Sequence, residues 1–370
     1  MSKLELDEYK EQTEHKHEYL KEYLPVWFYI LINRKISNNI KYNNIIYVDS
    51  FSNAGEYKNG EEGSPIIALK IFNDILLKNK DKKVRVKCYF NDYNEERIIH
   101  LKELIEKMSL DNRIKVEYDE ITANEHIKKV MKIIKRYSNK KVLFFIDPYK
   151  IADDIVSMSN MKQILEDDDT EIIFNHMVSD VVRNIKEYPE KYKNFYRLDK
   201  NLQKSGKEFN EIFINNLKKE VDKEIYTASY EFLNTKNVTI YFLVFITHHP
   251  RGYEKIKEAI WRVSDGDLQH KNKGEKNNLN LSLFSDEANK KLKKEKREIN
   301  IKNKVEDLKE ILINEFKGKK VTYQDICKFV VEKTIFIESH IQRKTLTPLQ
   351  EEGKIIREGT NKVNSTYIFK

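Results

Sequence analysis

The sequence predicts an α/β protein, an open doubly wound sheet of mostly parallel strands followed by a smaller C-terminal module of different pattern. Two observations predict the sheet. Short β-branched apolar runs alternate with longer amphipathic runs through the first two-thirds of the chain, and glycine, proline and asparagine punctuate the joins. A third observation separates the module: a lysine-rich stretch from Lys271 to Lys304 interrupts the alternation, with eight basic and two acidic residues between Lys290 and Lys304. A chain of 370 residues accommodates one catalytic-sized domain and a smaller one. The expected organisation is an N-terminal helical segment over 1–40, a sheet domain over 41–265, a basic linker over 266–304 and a C-terminal domain over 305–370.

Taken in order, Leu20, Tyr23, Leu24 and Trp27 form the apolar face of a first helix, at whose start His15, Lys16 and His17 read as capping and surface residues. Ile45 to Asp49 is short, β-branched and apolar, a buried strand. Gly55, Gly60 and Gly63 mark the loop after it, and Ser64-Pro65 has the chemistry of a helix start. Further units follow: strand Val84 to Phe90, helix Glu95 to Met108, strand Ile114 to Tyr118, helix Asn124 to Tyr137 and strand Val142 to Ile146. Glu171 to Asn175 and Val238 to Ile246 add two more strands. Beyond the basic run, Val305 to Phe316 reads as an amphipathic helix and Val321 to Ile326 as a strand stub entering a second helix. A third helix ends at Glu351-Glu352-Gly353, and two β-rich stretches flank Gly359-Thr360-Asn361. That order resembles a winged helix-turn-helix. Pro348 falls inside the third helix and is expected to kink or shorten it.

Composition narrows the function classes. Sixty-eight basic and 60 acidic side chains leave a formal charge of +8, and 35% of residues are charged, a balance that suits a surface facing polyanions. Only two cysteines occur, Cys88 and Cys327, far apart, which excludes a disulfide framework and a cysteine-rich zinc site and points to a reducing, cytoplasmic setting. No apolar run approaches the ~20 residues of a membrane-spanning helix, so no membrane partner is expected. His248 and His249 are adjacent in a strand end and point to opposite sides, and Asp167 to Asp169 reads as a solvated loop; no metal site is read.

The candidate chemistry sits at strand ends, where open α/β sheets bind ligands. Strand one runs into Asp49-Ser50-Phe51-Ser52-Asn53-Ala54-Gly55, strand two ends in Asn91-Asp92 and strand three in Asp119-Glu120. Asp49, Phe51, Asn53 and Gly55 suit a cofactor loop. Asp92 suits both hydroxyls of a ribose, and Asp119 or Glu120 an adenine amino group. No phosphate-binding glycine fingerprint follows strand one and no Gly-Lys-Ser/Thr is present, which sets dinucleotide oxidoreductases and P-loop enzymes aside. S-adenosylmethionine, a nucleoside cofactor without phosphates, fits what remains. Strand four ends in Asp147-Pro148-Tyr149, the arrangement used to methylate an exocyclic amine: acid and carbonyl accept the amine protons while the aromatic stacks on the base. Neither cysteine follows a strand end beside a proline, which disfavours a C5-cytosine mechanism.

These motifs carry a resemblance. Thr13-Glu14-His15-Lys16 with Leu20, Tyr23, Leu24 and Trp27, then YVDSFSNAGEYKNGEEGSPIIAL, FFIDPY, IIFNHM and YFLVFITHHPRGYEKIKEAIWRV, in order over roughly residues 13–263, resemble the three-Cys-motif partner protein family. The resemblance implies a class I S-adenosylmethionine-dependent methyltransferase fold with a Rossmann-like sheet, and is compatible with a C-terminal winged helix. It implies a gene neighbour bearing three cysteines as a partner, and it adds Lys16 to the candidates for touching cofactor or substrate. Two departures stand out: Ser50 and Asn53 occupy places where the family carries glycine, and Lys150 follows Asp-Pro-Tyr where the family carries another. Asparagine tolerates a left-handed backbone best among non-glycine residues, so the loop turn is expected to survive. Lys150 suits a phosphate contact or else crowds a target base.

In the C-terminal module Arg343 and Lys344 fall on the recognition-helix position and Lys354, Arg357 and Lys362 around the wing, although residues 305–370 hold twelve basic and ten acidic side chains. The sequence therefore predicts a methyltransferase acting on an exocyclic amine of DNA or RNA. The alternative is a non-catalytic nucleic-acid-binding or partner-binding adaptor on the same scaffold, motivated by Asn53 and Lys150.

Overall fold

In the computed structural model the residues described are 4–35, 42–198, 203–271, 286–359 and 364–370. The chain divides into two compact units. The first runs to Ile256 and takes in Gln269–Lys271; the second comprises 257–268 and the C-terminal part.

The first unit holds α1 (Glu11–Ile32), β1 (Asn43–Asp49), α2 (Ser64–Lys78), β2 (Val84–Asn91), α3 (Glu95–Glu106), β3 (Ile114–Asp119), α4 (Ala123–Ile134) and β4 (Lys140–Ile146). Next come α5 (Met158–Leu165), β5 (Thr170–His176), α6 (Val178–Asn184), α7 (Pro189–Tyr196), α8 (Gly206–Glu220), β6 (Tyr226–Leu233) and β7 (Thr239–Thr247). Helix α9 (Pro250–Ser264) leads out, and β8 (Gln269–Lys271) returns. The strands form one sheet in the order β3-β2-β1-β4-β5-β7-β6-β8. Strands β1 to β5 are parallel throughout, while β7 runs antiparallel to both β5 and β6. The predicted doubly wound, mostly parallel α/β sheet of Rossmann-like type is thus present. Every strand predicted for the sheet domain appears within about two residues of its expected ends.

Alternation along each strand explains the layering, because successive side chains face opposite sides of the sheet. On β1, Ile46 and Val48 enter a large core with Val142, Phe144 and Ile146 of β4 and the apolar faces of α4 to α8. Tyr47 points the other way, against Phe72 of α2, which also meets Phe28 of α1. Strands buried on both faces read as continuous apolar runs, which is why they were legible.

In the second unit, α10 (Asp286–Phe316) is one helix that includes the lysine-rich run and the amphipathic segment expected separately at 305–316. Residues 272–285 of the expected linker lie outside the described residues. There follow β9 (Lys320–Thr322), α11 (Tyr323–Lys333), α12 (Glu338–Ile341), a π-helical turn over Gln342–Leu346, α13 (Thr347–Glu351), β10 (Ile355–Glu358) and β11 (Thr366–Phe369). The strand stub is shorter than expected: Thr322 already caps α11, its hydroxyl accepting from the Asp325 amide while the Asp325 carboxylate reaches back. The three strands form an antiparallel sheet in the order β10-β11-β9. Pro348 does not end the helical run, which continues to Glu351. A π turn placed just before it absorbs the lost bond, with the Thr347 amide reaching the Gln342 carbonyl and the Thr345 hydroxyl donating to the His340 carbonyl at 2.9 Å. Residues 257–268 join this unit rather than the sheet domain: Lys257 Nζ donates to the Val330 and Val331 carbonyls and Trp261 Nε1 to the Ile335 carbonyl. No helix among the described residues is long and apolar enough to cross a membrane.

Candidate active site at the strand ends

The strand order reverses between β1 and β4, and the crevice at the carboxyl ends flanking such a reversal is where open α/β sheets take ligands. The β1 loop is drawn into this crevice by its own acid. Asp49 is fully buried, accepting from the Phe51 amide at 3.1 Å through one oxygen and from Ser64 Oγ at 2.6 Å through the other. Burial, with the Asp147 and Asp92 carboxylates as neighbours, pushes its carboxyl up to about 7 against those two hydrogen bonds.

Asn53 adopts the left-handed conformation expected of it, with φ 52°, and Gly55 follows at φ 82°. The side chain of Asn53 closes the turn, accepting from the Ala54 amide at 2.7 Å and donating to Asp7 at 2.7 Å. Ser50, the other departure from glycine, is buried and put to use: its hydroxyl lies 3.1 Å from His126 Nδ1 and its carbonyl accepts from Asn91 Nδ2. Opposite, the Gly63 amide donates to the Gly55 carbonyl at 2.7 Å, and a Cβ on Gly63 would stand 3.0 Å from the Gly55 backbone.

Asp92 is buried at the end of β2, accepts from the Asn94 amide at 3.0 Å and has Arg97 at 3.7 Å; burial raises its pKa. Asp119 turns toward α4, bonding Lys129, with His126 Nε2 at 3.8 Å. Glu120 is exposed and pairs with Lys102 at 3.1 Å.

At the end of β4, Asp147 is held from two sides. Lys16 Nζ donates to both of its oxygens, at 2.7 and 2.5 Å, and Asn175 Nδ2, one strand over on β5, donates to Oδ1 at 2.6 Å. Lys16 and His17 are therefore buried, not surface residues as their place at a helix start suggested. Pro148 is buried beside the acid, whereas Tyr149 is 63% exposed, with Lys150 Nζ 5.1 Å from its ring centre.

Several buried polar atoms around this crevice have no hydrogen-bond partner: Ser52 Oγ, Tyr47 OH, His126 Nε2 and Asn175 Oδ1. Buried polar groups are nearly always paired, so these four atoms are the polar groups at the strand ends still open to a partner. Sequence reasoning missed Asn175, although it stands at the next strand end beside Asp147. It also missed Tyr57, whose hydroxyl burial and the neighbouring Asp147 and Asp49 push upward in pKa, and Tyr9, whose ring packs against Tyr57.

In the second unit, Arg343 and Lys344 are exposed on the π turn. Lys354 pairs with Glu352 at 2.7 Å, Arg357 Nε donates to Ser365 Oγ at 2.9 Å, and Lys362 lies outside the described residues. A groove lined by Ile311, Phe329, Lys333 and Phe336 in this unit contains none of the predicted residues.

No family model matches the chain. No curated protein matches it either. Solved structures that are similar to it include a Clostridium thermocellum protein provisionally described as an rRNA methylase, at 12% identity and TM-score 0.34, covering 65% of this chain and 96% of that one. The methyltransferase domain of bacterial CtHen1-CN follows at 10% identity and TM-score 0.32, covering 62% and 99%. The delta-N METTL16 MTase domain stands at 12% and 0.30, covering 62% and 82%. At these values the likeness assigns neither substrate nor residue, and the chemistry has to be argued from the site.

Proposed function

We propose that this chain is an S-adenosylmethionine-dependent methyltransferase acting on an exocyclic amine of a nucleic-acid base. The observation that carries the reading is the meeting of Asp147, Asn175 and exposed Tyr149 at the β4 and β5 ends with an acid-lined β1 loop across the strand-order reversal. The site fits the cofactor in charge: Asp49 has Asp147 and Asp92 as acidic neighbours, although the chain is basic overall. A crevice of carboxylates favours a sulfonium cation and disfavours phosphates. Asp49, Phe51, Asn53, Gly55 and Asp92, with Asp119 or Glu120 beyond, would hold the cofactor, which supplies an electrophilic methyl group when bound.

The protein's own part is positioning. Each carboxylate oxygen has two acceptor sites; Lys16 takes one on each oxygen of Asp147 and Asn175 the second on Oδ1, which leaves one on Oδ2. Asn175 Oδ1, unpartnered and buried, is a second acceptor next to it. Two acceptors suit the two N–H groups of one amine, and satisfying both directs the nitrogen lone pair away from them. Tyr149 offers a face for the base, and Lys150 a charge for the adjoining phosphate. Lys16 is a positioning residue that holds both oxygens of Asp147. In the second unit, the order of helices and the three-stranded sheet support the winged-helix reading, with Arg343 and Lys344 facing nucleic acid. The resemblance to the three-Cys-motif partner family adds the neighbouring gene's product as a protein partner, which co-purification tests.

The test is titration with S-adenosylmethionine followed by labelled methyl transfer to DNA and RNA pools. Asp147→Asn is expected to bind the cofactor as the parent does and to lose transfer by at least ~100-fold; undiminished transfer would remove Asp147 from the mechanism. One observation favours a second reading, the non-catalytic adaptor: Lys16 neutralises the acid and Lys150 lies over the tyrosine. Nucleic-acid binding without any cofactor binding would select it.

A further inference from the structure

Outside the strand-end crevice, one cluster has no role in the reading above. Glu11 and His15 stand one turn apart on α1, and His270 reaches them from β8, across 259 residues of sequence from Glu11. One donor atom from each of the three lies within 4.8 Å of the others. His270 Nε2 is 3.1 Å from Glu11 Oε1, and the imidazoles of His15 and His270 approach to 3.6 Å between ring centres. Phe232 of β6, which pairs with His270 in the sheet, stacks on the His270 ring at 5.0 Å and confines the pair from one side. His15 Nδ1 is shut from solvent and makes no hydrogen bond, although Glu18 Oε2 stands 3.0 Å from it.

Two imidazoles pressed together and flanked by carboxylates gather nitrogen and oxygen donors around one point. We propose that Glu11, His15 and His270 bind a divalent transition metal of the zinc class. Mixed imidazole and carboxylate donors suit zinc or nickel, not magnesium or calcium. Tetrahedral zinc with bonds of ~2.0–2.1 Å places its donors about 3.4 Å apart, so the present spacing of up to 4.8 Å tightens on binding. Glu18, one turn beyond His15 on the same helix face, either orients that ring from outside or completes the coordination. The ion joins the first two turns of α1 to the edge of the sheet. Because His15 precedes Lys16, it also fixes the helix turn that delivers Lys16 to Asp147.

The experiment is equilibrium dialysis of the untagged full-length chain against zinc, with metal counted by mass spectrometry. The expected result is one zinc per chain, falling at least tenfold in His15→Ala and in His270→Gln, and unchanged in His100→Gln, whose histidine pairs with Glu56 elsewhere on the surface. Cobalt(II) loaded in place of zinc should give the intense visible bands of a four-coordinate site in the parent and lose them in His270→Gln. Thermal melts identify a variant that has merely unfolded, and absence of the cobalt bands in the parent would overturn the proposal without any variant. Absence of stoichiometric zinc in the parent, or full retention in both histidine variants, would overturn the proposal. Neither readout depends on methyl transfer.

Discussion

Asp49 sets the pH behaviour at the residue scale. A carboxyl raised to about 7 by burial favours the protonated form in the folded chain, so its contribution to stability is complete below the ordinary carboxyl range and is lost as pH rises through about 7. Melts of the parent between pH 5 and 8 should show that component, and Asp49→Asn should lack it. The same ionisation works in the opposite sense for a cationic cofactor: affinity for S-adenosylmethionine is expected to rise with pH through about 7, and the rise should flatten in Asp49→Asn, as titration at several pH values would read directly. His176, lowered to about 4 by burial between Asn210 and Tyr196, adds an acid limb, its stabilisation present above pH 6.5 and lost as pH falls toward about 4. Of the site residues, the acids were legible because each ends an apolar run, whereas the Lys16–Asp147 pair spans 131 residues and leaves no local signal.

Turns and helix ends decide matters at the element scale. The β1 loop closes on Gly63, where any side chain meets the Gly55 backbone; Gly63→Ala should cost about 1–3 kcal/mol in denaturant unfolding and weaken the crevice with it. The π turn before Pro348 rests on a buried hydroxyl, so Thr345→Val is expected to cost about 1 kcal/mol, read in the melting of the second unit. Parallel strands were readable as apolar runs bounded by turns. Strand β6 was not, because residues such as Tyr226, Thr227 and Ser229 are only half-buried and mix polar with apolar types. The π turn was not either: a proline in a helical run signals a break, and only the neighbouring threonine and the surrounding packing turn that break into an extra residue.

At the scale of the whole molecule, the chain's basic charge is a prediction about binding. If nucleic acid is the partner, affinity must fall steeply with salt, and replacing Arg343 and Lys344 by glutamine should lower the salt slope by about 1–2. A slope unchanged by the double substitution would move the contact surface elsewhere. The division of the chain was only partly legible. The lysine-rich run marked the change of unit, yet residues 257–268 belong with the second unit through Lys257 and Trp261, whose backbone partners lie more than seventy residues away.

The sequence by itself determined the sheet, its doubly wound grammar and the acids at its strand ends, because buried strands and the turns after them are specified by short, contiguous stretches of residue type. Only the tertiary structure decided what those acids touch. It set Lys16 and Asn175 on Asp147, stood Lys150 over Tyr149 and brought Glu11 and His15 to His270. The physical reason is one of range: periodicity and burial act within an element, whereas ion pairs, donor clusters and orphaned polar atoms arise between elements far apart in the chain, once packing has fixed their distances.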